Sequence, residues 1–488
     1  MTERILKGLG FATILIMLIG CFTLSSCRRP EVEDNAKLSF STSTVTFDTV
    51  FTTVGSATRR MTVHNPHNFA IKTDIILAGG GSSYFSINVD GVAGNAHKGI
   101  TIPPKDSLFI FVKVNVNPGN QNTPFLITDS ILFRTGTTQQ DVDLVAYGQD
   151  ANFIVGTEEL GSIRYKVVAG ANEVVRWTNE KPYVIYGMAV VDSLGKLIIE
   201  PGTKIYCHQG AGLWVYRYGN IEVNGTLEEP VRFQGDRLEA GFLEECGIWD
   251  RIWINEGSQD NIIRHAIIKG AYVGLQFENL EGDLNTNKNI VENTLVCNTG
   301  YAGLLGRNLN VEIINCQFSN SAGYGMALHS GNYNVKHVTI ANYFNKSRNT
   351  PALEIANYYD QLEIHNDKVV EVRYPWNTNV TMVNTIVYGY KEDEVKVKKE
   401  DEGGRTLDWQ LSNCLLKTKA ITSSNYVDCI FLQDPLFNKE GANKQTYKLT
   451  ANSPAIGKGK SGIGVLNDIL GNSRNTPPDI GAYEYVAE

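Results

Sequence analysis

The chain has 488 residues, of which 42% are hydrophobic, and its formal net charge is -8 at pH 7. This length allows two or three domains with a large core, and the acidic balance argues against a nucleic-acid partner, which needs a basic face. The 46 glycines and 22 tyrosines, among many β-branched residues, are typical of a protein built from strands and tight turns.

The first 26 residues have the three parts of a secretory signal peptide. Arg4 and Lys7 make the start basic, an apolar run extends from Leu9 to Leu24, and the small residues of the sequence LSSC follow, ending at Cys27. The pattern predicts an exported protein from which residues 1–26 are removed.

The LSSC sequence resembles the lipobox of bacterial lipoproteins, whose cysteine is acylated and becomes the new N-terminus. The resemblance implies that Cys27 carries acyl chains such as palmitate, which anchor the protein in the outer membrane, facing the periplasm or the cell surface. Cys21, at the end of LIGC, is the alternative, but the apolar run continues past it. An uncleaved anchor is a further alternative, although the run is short for a membrane span.

Residues 27–37 are mostly polar and predict a lipidated tether. Two of the eight cysteines fall in the signal region, and export permits disulfides among the rest, although buried small side chains are the plainer interpretation. No CxxC pair occurs, so neither a zinc site nor a redox motif is indicated. The remaining cysteines are Cys207, Cys246, Cys297, Cys316, Cys414 and Cys429.

Residues 38–150 alternate between apolar and polar positions in short runs such as Leu108–Val112, which predicts an antiparallel β-sandwich. VTFDTV from Val45, HNP from His64 and IPPKDS from Ile102 resemble immunoglobulin-like domains of the abnormal-spindle/major-sperm-protein type. The resemblance implies a spacer or adhesion module.

Beyond residue 160 short apolar strands recur with Gly or Asn at each corner. Thr294, Cys316 and Val338 are spaced by 22 residues twice, and Ala266 precedes Thr294 by 28. A period of about 22 with a strand in each unit indicates a solenoid. The texture resembles right-handed parallel β-helix proteins, and it implies a β-helix over 160–485 in an all-β chain, with the corner Asn amides bonded along the axis.

The last quarter contains DPLF from Asp434, NSPAIG from Asn452, DILGNSR from Asp468 and DIGAYEY from Asp479. In order and spacing this series resembles the closing segment of exported, Bacteroides-type β-helix proteins described as choice-of-anchor Q. It implies a cap over the last apolar coil. Asp468 and Asp479 are interpreted as hydrogen-bond acceptors of turns or of the cap.

An insertion over 343–380 is rich in aromatic residues. Aromatic faces pack on the CH groups of sugars, so a carbohydrate-binding surface is predicted there. The alternative is that these rings brace the loop or fill the core. The predicted residues are Tyr358, Tyr359, Tyr374 and Trp376.

No calcium, zinc, phosphate-loop or serine-hydrolase motif occurs, so no catalytic residue, metal or cofactor is assigned. One cluster could supply ionisable groups, although the Gly-Ile-Trp stretch inside it resembles a structural segment of related β-helices. Its members are Glu244, Glu245, Asp250, Arg251, His265 and Lys269.

These patterns predict a non-catalytic, membrane-anchored module of the cell envelope that binds a polysaccharide or another surface partner. One alternative is a carbohydrate-active enzyme, either a lyase or a glycoside hydrolase, because β-helices host such activities. The other alternative is a purely structural protein of the envelope.

Overall fold

The computed structural model describes residues 32–33, 35–51, 56, 58–116, 125–238, 242–280, 288–344, 348–365, 368–401, 404–419, 422–438 and 447–487. The chain divides into two compact units, residues 1–150 and 151–488. The described residues form strands and one short 3-10 turn at Gly80–Ser82, so the all-β prediction is confirmed. A helix long and apolar enough to span a membrane is not found among them. Cys21 and Cys27 lie outside the described residues.

The first unit consists of two sheets that enclose a common core. One sheet has the order β1-β5-β10-β11-β3, with β8 paired to β5, and the other has the order β2-β4-β9-β6-β7. Most pairs are antiparallel, as predicted, but β1–β5 and β3–β11 are parallel. The strands are β1 (Val32–Glu33), β2 (Ser39–Phe40), β3 (Thr44–Phe51), β4 (Arg59–His64), β5 (Ala70–Leu77), β6 (Phe85–Val89), β7 (Val92–Ala93), β8 (Ala96–Ile102), β9 (Ser107–Val114), β10 (Phe125–Thr135) and β11 (Thr138–Gln149).

Strict alternation along β9 explains how the first unit folds. Leu108, Ile110, Val112 and Val114 are buried and the residues between them are exposed. Since successive side chains of a strand point to opposite faces, this pattern puts one face of β9 into the core. Residues from both sheets belong to the same buried cluster.

The second unit is built from large, almost entirely parallel sheets of 11 and 18 strands. Its strands are β12 (Asn152–Val155), β13 (Glu158–Leu160), β14 (Ile163–Ala169), β15 (Val174–Trp177), β16 (Tyr183–Tyr186), β17 (Met188–Val191), β18 (Lys196–Ile199), β19 (Lys204–Cys207), β20 (Gly212–Val215), β21 (Asn220–Asn224), β22 (Val231–Gly235), β23 (Trp249–Ile254), β24 (Ile262–Arg264), β25 (Ala266–Lys269), β26 (Ala271–Glu278), β27 (Asn289–Glu292), β28 (Leu295–Cys297), β29 (Ala302–Ile314), β30 (Gln317–Ser319), β31 (Tyr324–Lys336), β32 (Thr339–Asn342), β33 (Leu353–Ala356), β34 (Tyr358–His365), β35 (Lys368–Pro375), β36 (Thr378–Val383), β37 (Ile386–Gly389), β38 (Val395–Lys398), β39 (Leu407–Ser412), β40 (Leu415–Leu416), β41 (Tyr426–Val427) and β42 (Ile430–Phe431).

The parallel pairings separate into three ladders. Ladder A is β14-β17-β20-β23-β26-β29-β31-β33-β38, and ladder B is β15-β18-β21-β24-β27-β29-β31-β36-β39-β41. The long strands β29 and β31 contribute their first halves to ladder A and their second halves to ladder B. Ladder C is the 11-stranded sheet β12-β16-β19-β22-β25-β28-β30-β32-β37-β40-β42. From β17 to β40 the chain visits A, B and C in that order, repeatedly.

The predicted register of the repeat is confirmed in ladder C. The backbone N–H of Gln317 donates to the carbonyl of Thr294 at 3.0 Å, and the N–H of Thr339 donates to the carbonyl of Cys316 at 2.9 Å. Thr294, Cys316 and Val338 therefore lie one above another, each directly before a successive strand of ladder C. One buried cluster takes residues from all three ladders, including Leu304, Val311 and Phe318. Each such large side chain contributes about 1.5–3 kcal/mol by leaving water.

From β25 to β42, the corner before each strand of ladder C has a left-handed backbone. The φ angles are 49° at Asn293 and Asn315, 45° at His265 and 52° at His337. Asn adopts this region more readily than most residues, which explains its recurrence. The predicted bonding between corner side chains is found for Asn293 with His265, where Nδ2 lies 3.1 Å from Nε2. Asn315 differs, because its Nδ2 donates to the carbonyl of Asn467 instead.

The C-terminal segment, residues 447–487, lies along the outer side of ladder C. Tyr483 donates its hydroxyl hydrogen to Gln317 Oε1 at 2.6 Å, and the Ala482 N–H donates to Thr339 Oγ1 at 2.9 Å. The sequence predicts that this segment caps the last coil, but its described contacts run along the side of ladder C instead. The physical reason is an apolar outer surface that needs covering, formed by Ala341, Ile386, Tyr388 and Leu415.

Asp468 and Asp479 accept hydrogen bonds in turns of this segment, as predicted. Asp468 Oδ1 accepts from the backbone N–H groups of Leu470 and Asn472, at 2.9 and 2.8 Å. Asp479 Oδ1 accepts from the N–H of Gly457 at 2.7 Å. Each carboxylate thereby replaces the water that these partly buried backbone groups lose on folding.

We predict that the contact between this segment and ladder C at His337 is sensitive to acid. Burial, followed by the charge of Arg474, lowers the pKa of His337 to about 3. The neutral ring fits its site, because Asn384 Nδ2 donates to Nε2 at 3.0 Å and Nδ1 lies 3.2 Å from the Gly481 carbonyl. The unfolded chain protonates near pH 6.5, so stability is complete above that pH and is lost as the pH falls toward 3.

At pH 5 the expected loss from His337 is about 2 kcal/mol relative to pH 7. His337→Asn places at this corner the residue found at Asn293 and Asn315, and it should remove this part of the acid sensitivity. The measurement is urea unfolding of both chains between pH 7 and pH 5. Parallel stability curves for the two chains would contradict the assignment.

Candidate functional site

The outer side of ladder A carries the main cluster of aromatic and ionisable side chains in the second unit, and we call it the A face. Its residues lie on the side of each strand opposite to the large core. The register aligns Trp214, Trp253 and Gln276 in one row, and Glu278, Arg307 and His329 in the next row. The A face comprises Trp214, Arg251, Trp253, Tyr272, Val273, Gln276, Glu278, Tyr301, Ala302, Leu305, Arg307, Tyr324, Ala327, His329, Glu354 and Lys398.

Two indoles form one end of the A face. Trp214 and Trp253, on the adjacent strands β20 and β23, stack at 5.0 Å between ring centroids with an interplanar angle of 13°. Their indole N–H groups donate to Asn255 Oδ1 and to Glu278 Oε2, respectively. Parallel in-register pairing imposes this stacking, because equivalent side chains on neighbouring strands point the same way.

Glu278 joins the indoles to a row of hydrogen bonds. It is buried, and it accepts from Trp253 Nε1 at 2.8 Å and from Arg307 Nη1 at 2.9 Å. Gln276 donates to the same carboxylate and accepts from Arg251 Nη1, each at 2.5 Å. The arginine charge compensates the buried carboxylate, so this group is a fixed acceptor surrounded by fixed donors.

A second buried carboxylate, Glu354, lies toward the other end of the A face. It bonds His329 Nε2 at 3.1 Å and Lys398 Nζ at 2.9 Å. Burial raises the pKa of Glu354, but the hydrogen bonds from His329 and Lys398 outweigh burial, and the net pKa is lowered. The pKa of the nearby Tyr324 is raised, first by burial and then by the Glu354 charge. At neutral pH Glu354 is therefore ionised and Tyr324 is protonated.

The strands that carry the two carboxylates are not adjacent in ladder A. Glu278 is on β26 and Glu354 is on β33, three steps along the ladder through β29 and β31. At about 4.8 Å per step the strands are about 14 Å apart. Hydrolases that use two carboxylates hold them about 5–9.5 Å apart.

Small apolar side chains lie between the two charged groups. Val273, Ala302, Leu305 and Ala327 form a buried cluster of their own, against which Tyr301 and Tyr324 pack. Tyr272 stacks on Tyr301 at 5.8 Å, and Tyr301 meets Tyr324 edge to face at 5.7 Å. A row of three phenol rings therefore borders an apolar strip on the A face.

The predicted carbohydrate-binding residues lie on and beside the antiparallel hairpin β34–β35. Tyr359 is 1% exposed and stacks on Tyr374 at 5.4 Å, so it offers no face to a sugar. This corrects the prediction for Tyr359, whose ring braces the hairpin near Arg307. The Arg373 guanidinium lies 4.1 Å from the ring centroid of Tyr358.

Trp376 follows β35 and is half-buried, with the Arg405 guanidinium 5.1 Å from its ring centroid. Tyr358 and Tyr374 are likewise half-buried. These three residues keep partial exposure and remain predicted sugar contacts.

The cluster of ionisable residues that the sequence suggested around Glu244 is dispersed in the structure. Glu244 bonds Lys269 Nζ at 2.6 Å, and His265 occupies a corner of ladder C. Arg251 belongs to the A face, where its neighbour Asp250 accepts from its Nε at 2.9 Å. Groups of three or more metal-ligating side chains are not found in the part of the chain that the structure describes.

Sequence reasoning missed Glu278, Arg307, His329 and Glu354. A signal for part of this set was present, because Arg307 and His329 are separated by the same 22 residues as Thr294 and Cys316. Polar residues repeated at the period of a solenoid are placed on one face by the stacking itself.

Comparisons with known proteins add little to this geometry. No family model and no curated protein matches the chain. Among solved structures, the ASH/PapD-like domain 7 of human CEP192 is similar at 8% identity and a TM-score of 0.17, covering 24% of this chain and 87% of that domain. A family 123 glycoside hydrolase from Clostridium perfringens, studied for glycolipid glycan hydrolysis, is similar at 7% identity and a TM-score of 0.19, covering 29% of this chain and 30% of the hydrolase. Neither TM-score reaches the level at which two chains share a fold.

Proposed function

We propose that this chain is a lipid-anchored protein of the outer membrane that binds a polysaccharide along the A face without cleaving it. The observation that carries the proposal is the combination, on one face, of stacked aromatic rings, an apolar strip and fixed hydrogen-bonding groups. Sugars present CH surfaces between hydroxyl groups, and a site that alternates rings with donors and acceptors complements both.

The proposed architecture is a right-handed parallel β-helix in the second unit, preceded by an immunoglobulin-like spacer. Its support is the fixed order in which the chain visits ladders A, B and C, with one buried cluster shared by the three. In such a stack each step along the axis is about 4.8 Å, so a linear polymer can contact the same face over several strands.

The charges of the A face favour a neutral or zwitterionic glycan. Arg307 is paired with Glu278, Lys398 with Glu354 and Arg251 with Asp250. Because each of these cations has a carboxylate partner, the face has little excess positive charge to offer a polyuronate. The anchoring part of the proposal rests on the lipobox resemblance at Cys27.

The separation of the carboxylates favours binding over hydrolysis. Retaining and inverting glycosidases need two carboxyl groups within about 5–9.5 Å, and the strands that carry Glu278 and Glu354 are about 14 Å apart. Both groups are also held by cations or indoles in fixed positions, which suits recognition of a hydroxyl group.

Tyr272→Ala should weaken glycan binding at least about tenfold, the effect of losing about 1.4 kcal/mol of ring contact. Tyr272 is 45% exposed on the A face, so its replacement leaves the core intact. A glycan array followed by titration calorimetry on the purified full chain is the measurement. Tyr147→Ala is the matched control, because Tyr147 is 47% exposed and belongs to the first unit.

Equal affinities for the two variants would contradict binding at the A face. New reducing ends, or an unsaturated product absorbing at 235 nm, would show cleavage and support the enzyme alternative. The absence of binding to any glycan, with both variants folded, would favour the structural alternative.

A further inference from the structure

We propose that Cys414 and Cys429 are the two halves of a disulfide that fastens the last strand of ladder C to its neighbour. The proposal concerns a covalent modification and does not depend on glycan binding. It rests on the strand register, on the conformation of two corners and on the hydrogen bonding of the two thiols.

The register places the two cysteines opposite each other. Leu415 of β40 pairs with Ile430 of β42, and Leu416 pairs with Phe431, so the preceding residues Cys414 and Cys429 also face one another. The N–H of Ile430 donates to the carbonyl of Cys414 at 2.8 Å, which continues the ladder through the cysteines. Neighbouring strands are about 4.8 Å apart, within the range of about 4.4–6.8 Å between the Cα atoms of a disulfide.

The two side chains point the same way because the corners before them have the same backbone conformation. Asn413 and Asp428 have φ angles of 50° and 51°. Cys414 Sγ lies 3.2 Å from the carbonyl oxygen of Ser412, two residues earlier, and Cys429 Sγ lies 3.5 Å from that of Val427, also two residues earlier. The two thiols are close enough for each to shift the pKa of the other.

No other cysteine on ladder C faces a second cysteine across a strand pair. Cys316 lies between Thr294 and Val338. Cys207 pairs with Gly235 and Ile185, and Cys297 pairs with Lys269 and Ser319. The juxtaposition of Cys414 with Cys429 is therefore specific to the end of this ladder.

The environments of the two thiols define an order of reaction. The hydrogen bond from Cys414 lowers the pKa of Cys429, which is half-buried, whereas burial raises the pKa of Cys414. The Cys429 thiolate attacks a disulfide of an exported thiol oxidase or of a small molecule, forms a mixed disulfide and releases one thiol. Cys414 then loses its proton and attacks Cys429 Sγ, which releases the second thiol and leaves the Cys414–Cys429 bond.

Peptide mapping of the purified full chain tests the proposal. The chain is equilibrated with oxidised glutathione, free thiols are blocked with iodoacetamide, and trypsin digestion is carried out without reductant. We expect a species in which residues 406–417 are linked to residues 420–439, and it should disappear after dithiothreitol. The same link should slow hydrogen exchange of the β42 amides at least about tenfold, because β42 can then separate only together with β40.

Cys429→Ser should abolish both the linked peptide and the slower exchange. Cys316→Ser is the matched control, since Cys316 occupies the same corner position, with Sγ 3.1 Å from the carbonyl oxygen of Ile314, and should leave both unchanged. Full alkylation of Cys414 and Cys429 after the oxidant, a stable glutathione adduct on Cys429, or a link from Cys414 to another cysteine would overturn the proposal.

Discussion

Replacing Arg348 with alanine is expected to destabilise the second unit by about 3–5 kcal/mol, the range for breaking a buried ion pair from one side. Arg348 Nη2 contacts both carboxylate oxygens of Glu394, and both side chains are 0% exposed. The same carboxylate accepts from the backbone N–H groups of Lys391 and Ala352, at 2.7 and 2.9 Å. Without the guanidinium, a buried charge remains uncompensated between β32, β33 and β38.

Urea unfolding followed by tryptophan fluorescence measures this effect, because all six tryptophans lie in the second unit. The control is the double variant Arg348→Met with Glu394→Gln, which removes both charges and keeps a side-chain acceptor for one of the two backbone N–H groups. It should recover more than half of the lost stability. A loss below about 1 kcal/mol in the single variant, the value typical of exposed pairs, would contradict the expectation.

Arg474→Leu is expected to loosen the C-terminal segment and to cost about 3 kcal/mol or more. Arg474 Nη1 pairs with Glu484 Oε2 at 3.3 Å, and both side chains are buried. Its Nη2 donates to Asn315 Oδ1 at 2.8 Å and to the carbonyl of Gly481 at 3.1 Å. Leucine leaves the Glu484 charge and these oxygens without this donor.

Limited proteolysis and binding of an apolar dye measure the second prediction. Once the segment leaves, the outer surface around Ile386, Tyr388 and Leu415 meets water, so cleavage within 447–487 should accelerate and dye fluorescence should rise. Arg164→Leu is the control, because Arg164 and Glu159 form an ion pair whose side chains are 74% and 65% exposed. An equal response from Arg164→Leu and Arg474→Leu would contradict the assigned role.

The repeat in the second unit could be predicted because its cause is local. A left-handed corner favours Asn, and a core position favours an apolar residue, so both recur at the period of the stack, as at Asn293, Asn315, Thr294 and Cys316. The same residue types therefore recur in each repeat of the stack. The alternation in β9 is local in the same sense.

The A face could be predicted only in part, because its members come from strands separated by loops of different length. Glu278 and Glu354 are 76 residues apart in the sequence, and no fixed spacing joins them. The hairpin β34–β35 interrupts the repeat after β33, so a period cannot be extended across it. The aromatic content of the sequence favours this hairpin as the binding surface, although Tyr359 is buried and the more continuous row of rings is on ladder A.

The lateral position of the C-terminal segment could not be predicted from composition alone, although the strands beneath it carry a sign of it. Thr339–Asn342 and Ile386–Gly389 are buried at every position, so both sides of these strands are covered. One side faces the common core. What covers the other side depends on contacts such as Tyr483 with Gln317, which are 166 residues apart.

That path has a consequence for how the second unit comes apart. A stack in which each strand touches only its neighbours can unravel from one end, a repeat at a time. The C-terminal segment forms hydrogen bonds with Gln317, Thr339 and Asn384, which belong to three successive repeats, and it therefore links these repeats to one another. Unfolding that starts at the last strand must therefore stop at the C-terminal segment or detach all of it. These three repeats are then expected to unfold together, in a single cooperative event.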